Sequence, residues 1–222
     1  MTSTDHDGSC MAILFDLDGV LVDSRGCVER VWRTWASGRG LDPGPIIRRA
    51  HGRRTSESLR EAAPGLDIAA ETAILDRLEE GETGGISRVP GAAELLSGLP
   101  PDRWAIVTSG SLKVAALRMR IGGVPRPSVF VTAGDVAKGK PSPEGYLIAA
   151  QRLGIAPAAC IVVEDTPPGI LAGKGAGMAV IAIQGTYGAE QLSDADLIAP
   201  ALSALIVKRS HQGKLNVSVA PT

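Results

Sequence analysis

Four consecutive apolar residues, Ala12-Ile13-Leu14-Phe15, run directly into two carboxylates one residue apart, Asp16 and Asp18, with Gly19 behind them. The apolar run reads as a strand buried on both faces, the kind found inside a parallel sheet. Folding alone gives no reason to end such a strand in acids, because unpaired buried carboxylates are costly. Chemistry gives one. An aspartate at a strand's C-terminal end can attack phosphorus or carbon, and a carboxylic acid two residues on can exchange protons with the leaving group. On its own, Asp-x-Asp-Gly fits a plain acidic turn equally well, so the remainder of the chain has to decide.

The same kind of apolar run recurs at residues 104–107, 129–131, 160–163 and 178–183, with a weaker one at 197–199. Helical spacing fills residues 91–99, 112–119, 144–153 and 169–174 between the later ones. Alternating strands and helices predict βαβ units, and hence an α/β fold with a parallel sheet wrapped by helices. One interval breaks the alternation, since residues 25–88 carry no strand pattern. Val28, Val31, Trp32 and Trp35 form one apolar helix face there, Leu59, Ala62 and Ala63 a second, and Ile74, Leu75 and Leu78 a third. Gly26 on one side and Gly84-Gly85 and Pro90-Gly91 on the other punctuate the interval as linkers do. The expected organisation is a core at 10–25 and 89–209, a helical insert at 26–88, and tails at 1–9 and 210–222.

Composition narrows the function classes. A chain of 222 residues suits one large domain, or a core domain with a smaller partner. A net charge of −1 without a basic block argues against a nucleic-acid surface. Cys10, Cys27 and Cys160 are odd in number and scattered, which disfavours a disulfide framework or zinc site and fits a reducing compartment. The first ten residues lack the apolar stretch of a signal peptide, and no segment approaches the ~18 apolar residues of a membrane span. The expectation is a cytoplasmic protein with no nucleic-acid or membrane partner.

The polar residues that interrupt the pattern fall at matching places. Asp16 and Asp18 end the first strand, Thr108-Ser109-Gly110-Ser111 the run at 104–107, and Glu164-Asp165-Thr166 the run at 160–163. Lys140, in Gly139-Lys140-Pro141-Ser142-Pro143, follows the run at 129–131 by a short loop. In a parallel sheet these strand ends open on one edge, where ligands bind. Asp16, Asp165 and Glu164 would supply hard oxygen ligands suited to Mg²⁺. Ser109 offers a hydroxyl and backbone N–H groups to phosphate oxygens, and Gly110 lets a ligand approach the backbone. Lys140 offers a positive point charge. Each has a plainer reading: Ser109 as a helix N-cap, Glu164-Asp165 as acids capping the helix at Pro167-Pro168, Lys140 as a solvated loop lysine. All four in this order, each at a strand end, argue for one site.

Asp16-Leu17-Asp18-Gly19-Val20-Leu21-Val22-Asp23-Ser24, Val107-Thr108-Ser109-Gly110, Gly139-Lys140-Pro141-Ser142-Pro143 and Val163-Glu164-Asp165-Thr166-Pro167-Pro168-Gly169-Ile170 resemble the four ordered motifs of the haloacid dehalogenase-like hydrolase superfamily. The resemblance covers roughly residues 11–207, and the insert sits where that family carries a cap. It implies a Rossmann-like core with helices on both faces of a parallel sheet, plus an all-helical cap domain. The implied chemistry is Mg²⁺-dependent phosphoryl transfer, with Asp16 phosphorylated and Asp18 acting as acid and then base. Ser109 and Lys140 would hold the phosphate, and the implied metal set is Asp16, Asp18, Asp165 and Glu164. His51-Gly52-Arg53-Arg54-Thr55 resembles a cap motif of small sugar- and polyol-phosphate phosphatases, such as the 2-deoxyglucose-6-phosphate and glycerol-phosphate enzymes. Arg54 is then the leading substrate contact and His51 a second, while Arg48 and Arg49 read equally as a solvated helix face.

The expected function is therefore a phosphatase of small phosphorylated sugars or polyols, a monomer or weak dimer. A sugar phosphomutase of similar architecture would need phosphate-binding groups in the insert. A dehalogenase is disfavoured by Asp18, and a Schiff-base phosphonate hydrolase by the absence of lysine from residues 25–88. A non-catalytic phosphate sensor, similar to receiver domains, is disfavoured by Asp18 and by the insert.

Overall fold

The computed structural model describes residues 8–210 and 213–220. The chain opens with β1 (Gly8–Cys10), β2 (Ala12–Phe15) and β3 (Val22–Asp23). Four helices follow: α1 (Arg25–Ser37), α2 (Pro43–Ala50), α3 (Thr55–Ala62) and α4 (Ile68–Gly81). After β4 (Ser87–Arg88) come α5 (Ala92–Ser97), β5 (Trp104–Val107), α6 (Leu112–Gly122), β6 (Val129–Val131) and α7 (Glu144–Leu153). The remainder is β7 (Cys160–Glu164), α8 (Pro167–Gly175), β8 (Ala179–Ile183), β9 (Leu197–Ala199), β10 (Leu205–Arg209) and β11 (Leu215–Val219).

Six strands form one parallel sheet in the order β6-β5-β2-β7-β8-β9. Every residue of β2, β5 and β7 is buried, as continuous apolar runs at the centre of a doubly covered sheet require. Alternate side chains go to opposite faces. Ile13, Phe15, Ile106 and Val163 meet Leu95, Leu96, Ala115 and Met119 of α5 and α6 on one side. Ala12, Leu14, Ala105 and Val162 meet Tyr146, Ala149 and Ile170 of α7 and α8 on the other. The fold class and the strands anticipated from the sequence are those observed, except that the last long one begins at Ala179. Among the described residues, no helix is long and apolar enough to cross a membrane.

Helices α1 to α4 bury a separate core of Val31, Trp32, Trp35, Leu59 and Leu75. Three of these helices carry the apolar faces read from the sequence; α2 was not anticipated, although its start is well marked. Asp42 accepts the Gly44 N–H at 3.0 Å, Pro43 occupies the first turn, and Ile46, Ile47 and Ala50 are buried. The interval also contains a strand. β4 pairs antiparallel with β3, Val22 opposite Arg88 and Asp23 opposite Ser87, so the chain segments entering and leaving the insert are joined to each other. Two residues are too few to leave an alternation in the sequence.

The expected tails at 1–9 and 210–222 are corrected where β1 and β11 lie. β11 pairs antiparallel with both β1 and β10, Val217 facing Gly8 on one side and Val207 on the other. Leu215 and Val217 are buried while Asn216 and Ser218 are not, so a short half-buried alternation, rather than an apolar run, builds this small sheet. Residues 1–7, 211–212 and 221–222 lie outside the described residues.

Candidate active site

Parallel pairing of β2 with β5 and with β7 brings Asp16, Thr108 and Glu164-Asp165 to one edge of the sheet. The loop after β6 delivers Lys140 to the same place. Its Nζ donates to Asp16 Oδ1 at 2.5 Å, to Glu164 Oε1 at 2.6 Å and to the Val107 carbonyl at 3.2 Å. Lys140 is buried rather than a solvated loop lysine, with 5% of its surface exposed. Burial opposes its charge, but Asp16 and Glu164 outweigh that and hold the ammonium above its ordinary range.

Asp16, Glu164 and Asp165 bring carboxylate oxygens within 4.8 Å of one another, all three residues buried. One ammonium faces three carboxylates, so negative charge is in excess. Burial pushes Asp16 up to about 7 against the pull of Lys140. Burial also raises Asp165 well above the ordinary carboxylate range, reinforced by Glu164 and Asp16. Such a cluster draws a proton or a cation. The oxygens differ in how far they are engaged. Glu164 Oε1 takes Lys140 and the Tyr146 hydroxyl at 2.8 Å, and its Oε2 takes the backbone N–H of Asp165 at 3.0 Å and the Thr166 hydroxyl at 3.1 Å. Asp165 Oδ2 accepts the Thr186 hydroxyl at 2.9 Å, whereas its Oδ1 is buried without a partner. That orphaned oxygen and the hard donor set fit a divalent cation. Gly19 makes room for the group. Its φ is +88°, and a Cβ there would lie 2.0 Å from Asp165 Oδ2.

Asp18 lies apart from this trio, which differs from its expected place among the metal ligands. Its Oδ1 accepts the Ser24 hydroxyl at 2.6 Å and Arg118 Nη1 at 3.0 Å, while Oδ2 lies 3.5 Å from the Thr108 hydroxyl. The turn after β2 carries it there, with Leu21 and Val22 N–H groups both donating to the Leu17 carbonyl. Arg118 in turn reaches Glu79 Oε2 at 3.1 Å, and burial pushes Glu79 up to about 7. One cavity is lined by Asp16, Asp18, Thr108, Ser109, Gly110 and Asp165 from the sheet edge, and by Trp32, His51 and Glu79 from the helical insert.

Two residues chosen from sequence for substrate contact are engaged elsewhere. Ser109 lines the cavity, but its hydroxyl donates to the Gly52 carbonyl at 2.9 Å. Arg54 turns away from the cavity. Its Nη1 donates to the carbonyls of Val136 and Ala137, both at 3.0 Å, and neighbouring Glu57 accepts the Gly139 N–H at 2.8 Å. Arg54 and Glu57 thus grip the loop that carries Lys140. Gly52 seats the insert alongside: φ is +74°, and a Cβ would lie 2.4 Å from the Thr166 hydroxyl oxygen. His51 does face the cavity, its Nε2 buried and unpartnered, and burial lowers its pKa towards the neutral ring. Arg53 is held by Glu61 through two hydrogen bonds of 2.8 and 2.7 Å, and Arg48 and Arg49 are exposed.

Arg118, Glu79, Tyr146 and Thr186 were not singled out from the sequence, and Thr108 only as part of the polar segment ending the run at 104–107, without a role of its own. Thr108 is the first residue beyond β5, the position Asp16 holds beyond β2, and that parallel was a usable signal. Arg118 falls on the apolar face of α6 with Val114, Ala115, Met119 and Gly122, where a lone arginine signals a buried partner. Tyr146 and Thr186 left no such mark.

Comparison with known proteins gives a consistent picture. Residues 10–177 match the family model of haloacid dehalogenase-like hydrolases. Hexitol phosphatase A of Escherichia coli is 46% identical over 212 residues, covering 92% of this chain and 97% of that one. 2-Deoxyglucose-6-phosphate phosphatase 1 of Saccharomyces cerevisiae is 33% identical over 230 residues, covering 93% and 94% of the two chains. Among solved structures, a hydrolase from Pseudomonas syringae superposes with a TM-score of 0.75 at 25% identity, over 87% of this chain and 94% of that one.

Proposed function

This chain belongs to the haloacid dehalogenase-like hydrolases, and we propose that it hydrolyses phosphate monoesters of small sugars and polyols through an aspartyl phosphate on Asp16. The observation that carries the reading is the juxtaposition of Asp16, fixed by Lys140, with Asp18 over one cavity. The likeness to a hexitol phosphatase across nearly the whole of both chains supports the substrate class.

In this reading a carboxylate oxygen of Asp16 attacks phosphorus, the bond from phosphorus to the ester oxygen breaks, and Asp18 gives its proton to the departing alkoxide. Water then attacks the phosphoryl group, Asp18 takes the water's proton, and phosphate leaves with Asp16 restored. Lys140 neutralises charge on Asp16 as the phosphate arrives. Thr108 and the backbone at Ser109 and Gly110 receive phosphate oxygens. Asp16 and Asp165, with Glu164 beside them, would hold Mg²⁺, whose charge offsets the repulsion between carboxylate and phosphate. Glu164 has its oxygens occupied and serves chiefly to hold Lys140. The helical insert covers the site and selects the alcohol, with His51 among its polar contacts.

The phosphatase is favoured over a phosphomutase by the likeness to hexitol and 2-deoxyglucose-6-phosphate phosphatases over nearly the whole chain. A mutase needs cations in the insert for a second phosphate; Arg54 is spent on core carbonyls, while Arg25 and Arg53 line the cavity, so a substrate screen decides between the two. The proposal extends to a cytoplasmic location and a monomer or weak dimer. A phosphate-release screen over sugar and polyol phosphates, with Mg²⁺ and then with EDTA, tests the function. Release from hexitol or deoxyhexose phosphates that EDTA abolishes and Mg²⁺ restores is the expected result. Phosphate migration within the sugar, dependent on a sugar bisphosphate, would establish the mutase instead. Full activity in EDTA would refute the metal site.

A further inference from the structure

We propose that Arg118 is a positioning residue for Asp18, and that Glu79, carried by the helical insert, holds Arg118 in that task. The proposal rests on the reading of Asp18 as the proton donor to the leaving group.

Arg118 is an expensive residue to place where it is. Its side chain is 5% exposed, on the face of α6 that packs Ala115 and Met119 into the sheet core. A buried guanidinium is tolerated only when carboxylates surround it. Two do, and they come from different parts of the fold. Nη1 meets Asp18 Oδ1 at 3.0 Å, and Nη2 meets Glu79 Oε2 at 3.1 Å. Among the described residues, Arg118–Glu79 is the one ion pair that joins the insert to the core.

The geometry at Asp18 says what the pair accomplishes. Ser24 and Arg118 both address Oδ1, at 2.6 and 3.0 Å. Oδ2 has only the distant Thr108 hydroxyl at 3.5 Å, and Asp18 lines the cavity. With Oδ1 taken by two donors, Oδ2 is the oxygen left to carry the transferable proton to a substrate in the cavity. Acid catalysis depends on that alignment, because a donor turned by one carboxylate flip presents no proton to the alkoxide. Because Glu79 belongs to the insert, the seating of the insert bears on the acid through Arg118, in addition to the direct hold of Ser24 and Arg118 on Asp18.

The leaving group separates positioning from mere structural support. Nitrophenolate departs without a proton, whereas a polyol alkoxide does not. Phosphoenzyme formation is followed in single turnovers of the full chain with Mg²⁺, using p-nitrophenyl phosphate, a hexitol phosphate and a series of aryl phosphates of rising leaving-group pKa. Arg118→Met and Glu79→Gln should slow the hexitol ester by about 10-fold or more, a fraction of the 10²–10⁴ that general acids contribute. Both should leave the nitrophenyl ester within about 3-fold and steepen the dependence on leaving-group pKa. Arg118→Lys, which keeps a cation beside Asp18, should recover part of the loss. Equal slowing of both esters, or slowing of neither, overturns the proposal. If Arg118→Met does not fold, Glu79→Gln decides by the same comparison. A wild-type protein that forms no phosphoenzyme with any monoester overturns the reading of the reaction, and this proposal with it.

Discussion

Replacing Lys140 by Met keeps most of the unbranched side chain, one atom shorter, and removes its charge from among three buried carboxylates. In the wild type, Nζ lies 2.5 Å from Asp16 and 2.6 Å from Glu164, and among the described residues neither carboxylate has another cation in ion-pair contact. Removing one partner of a buried pair leaves an uncompensated charge and costs about 3–5 kcal/mol. For a chain of this length each kcal/mol moves the melting midpoint by about 2–4 °C, so the variant should melt roughly 6–20 °C lower in EDTA. Mg²⁺ should then raise the midpoint of the variant more than that of the wild type, because a divalent cation bound to the more negative site stands in for the lost ammonium. Calorimetry of both proteins with EDTA and with excess Mg²⁺ supplies the four midpoints. A drop in EDTA of under about 2 °C, or an equal response of the two proteins to Mg²⁺, would refute the view that Lys140 is the counter-charge of this cluster.

Arg54→Ala should lower kcat/KM about 10-fold for a polyol phosphate and for p-nitrophenyl phosphate alike, because Arg54 holds the Val136 and Ala137 carbonyls beside the Lys140 loop. A loss confined to the polyol ester would make it a substrate contact after all. Glu79 is displaced from 4.5 to about 7 by burial, with Arg118 opposing, a difference worth about 3 kcal/mol. A carboxyl protonated more readily in the folded state supports the fold below pH 4.5, and that contribution is lost as pH rises through 7. The stability gap between Glu79→Gln, neutral throughout, and the wild type should therefore move in the variant's favour by up to this amount between about pH 4.5 and 8, read from urea midpoints in EDTA. That movement comes on top of a pH-independent cost of the lost pair. A stability gap that stays constant with pH would contradict the displacement.

The sheet and its catalytic edge were legible because both rest on local patterns. β2, β5 and β7 are largely apolar runs, and the acids and hydroxyls that end them lie where a parallel sheet gathers its ligands. Lys140 was found through the Gly and Pro residues that shape its loop. Direction was harder to read than position. Arg54 and Ser109 stand next to the cavity in sequence terms, yet their side chains turn to backbone carbonyls across the boundary between insert and core, which no local spacing encodes. β11 was missed because it is a short half-buried strand between its hairpin neighbour β10 and β1, which comes from the far end of the chain. Glu79 reads as one acid among several on α4, and only the arrival of Arg118 from α6 distinguishes it.

The central claim is that Asp16 carries the phosphoryl group, and trapping that group tests it most directly. The protein is mixed with its best phosphate ester and Mg²⁺, quenched in acid within the burst, and digested for peptide mass spectrometry. The account predicts one phosphoryl group on the peptide containing Asp16, none in Asp16→Asn, and turnover by that variant below about one per cent of wild type, a loss of at least ~3 kcal/mol of transition-state stabilisation. Wild-type turnover with no phosphorylated peptide, a phosphoryl group on another residue, or an active Asp16→Asn protein would contradict it.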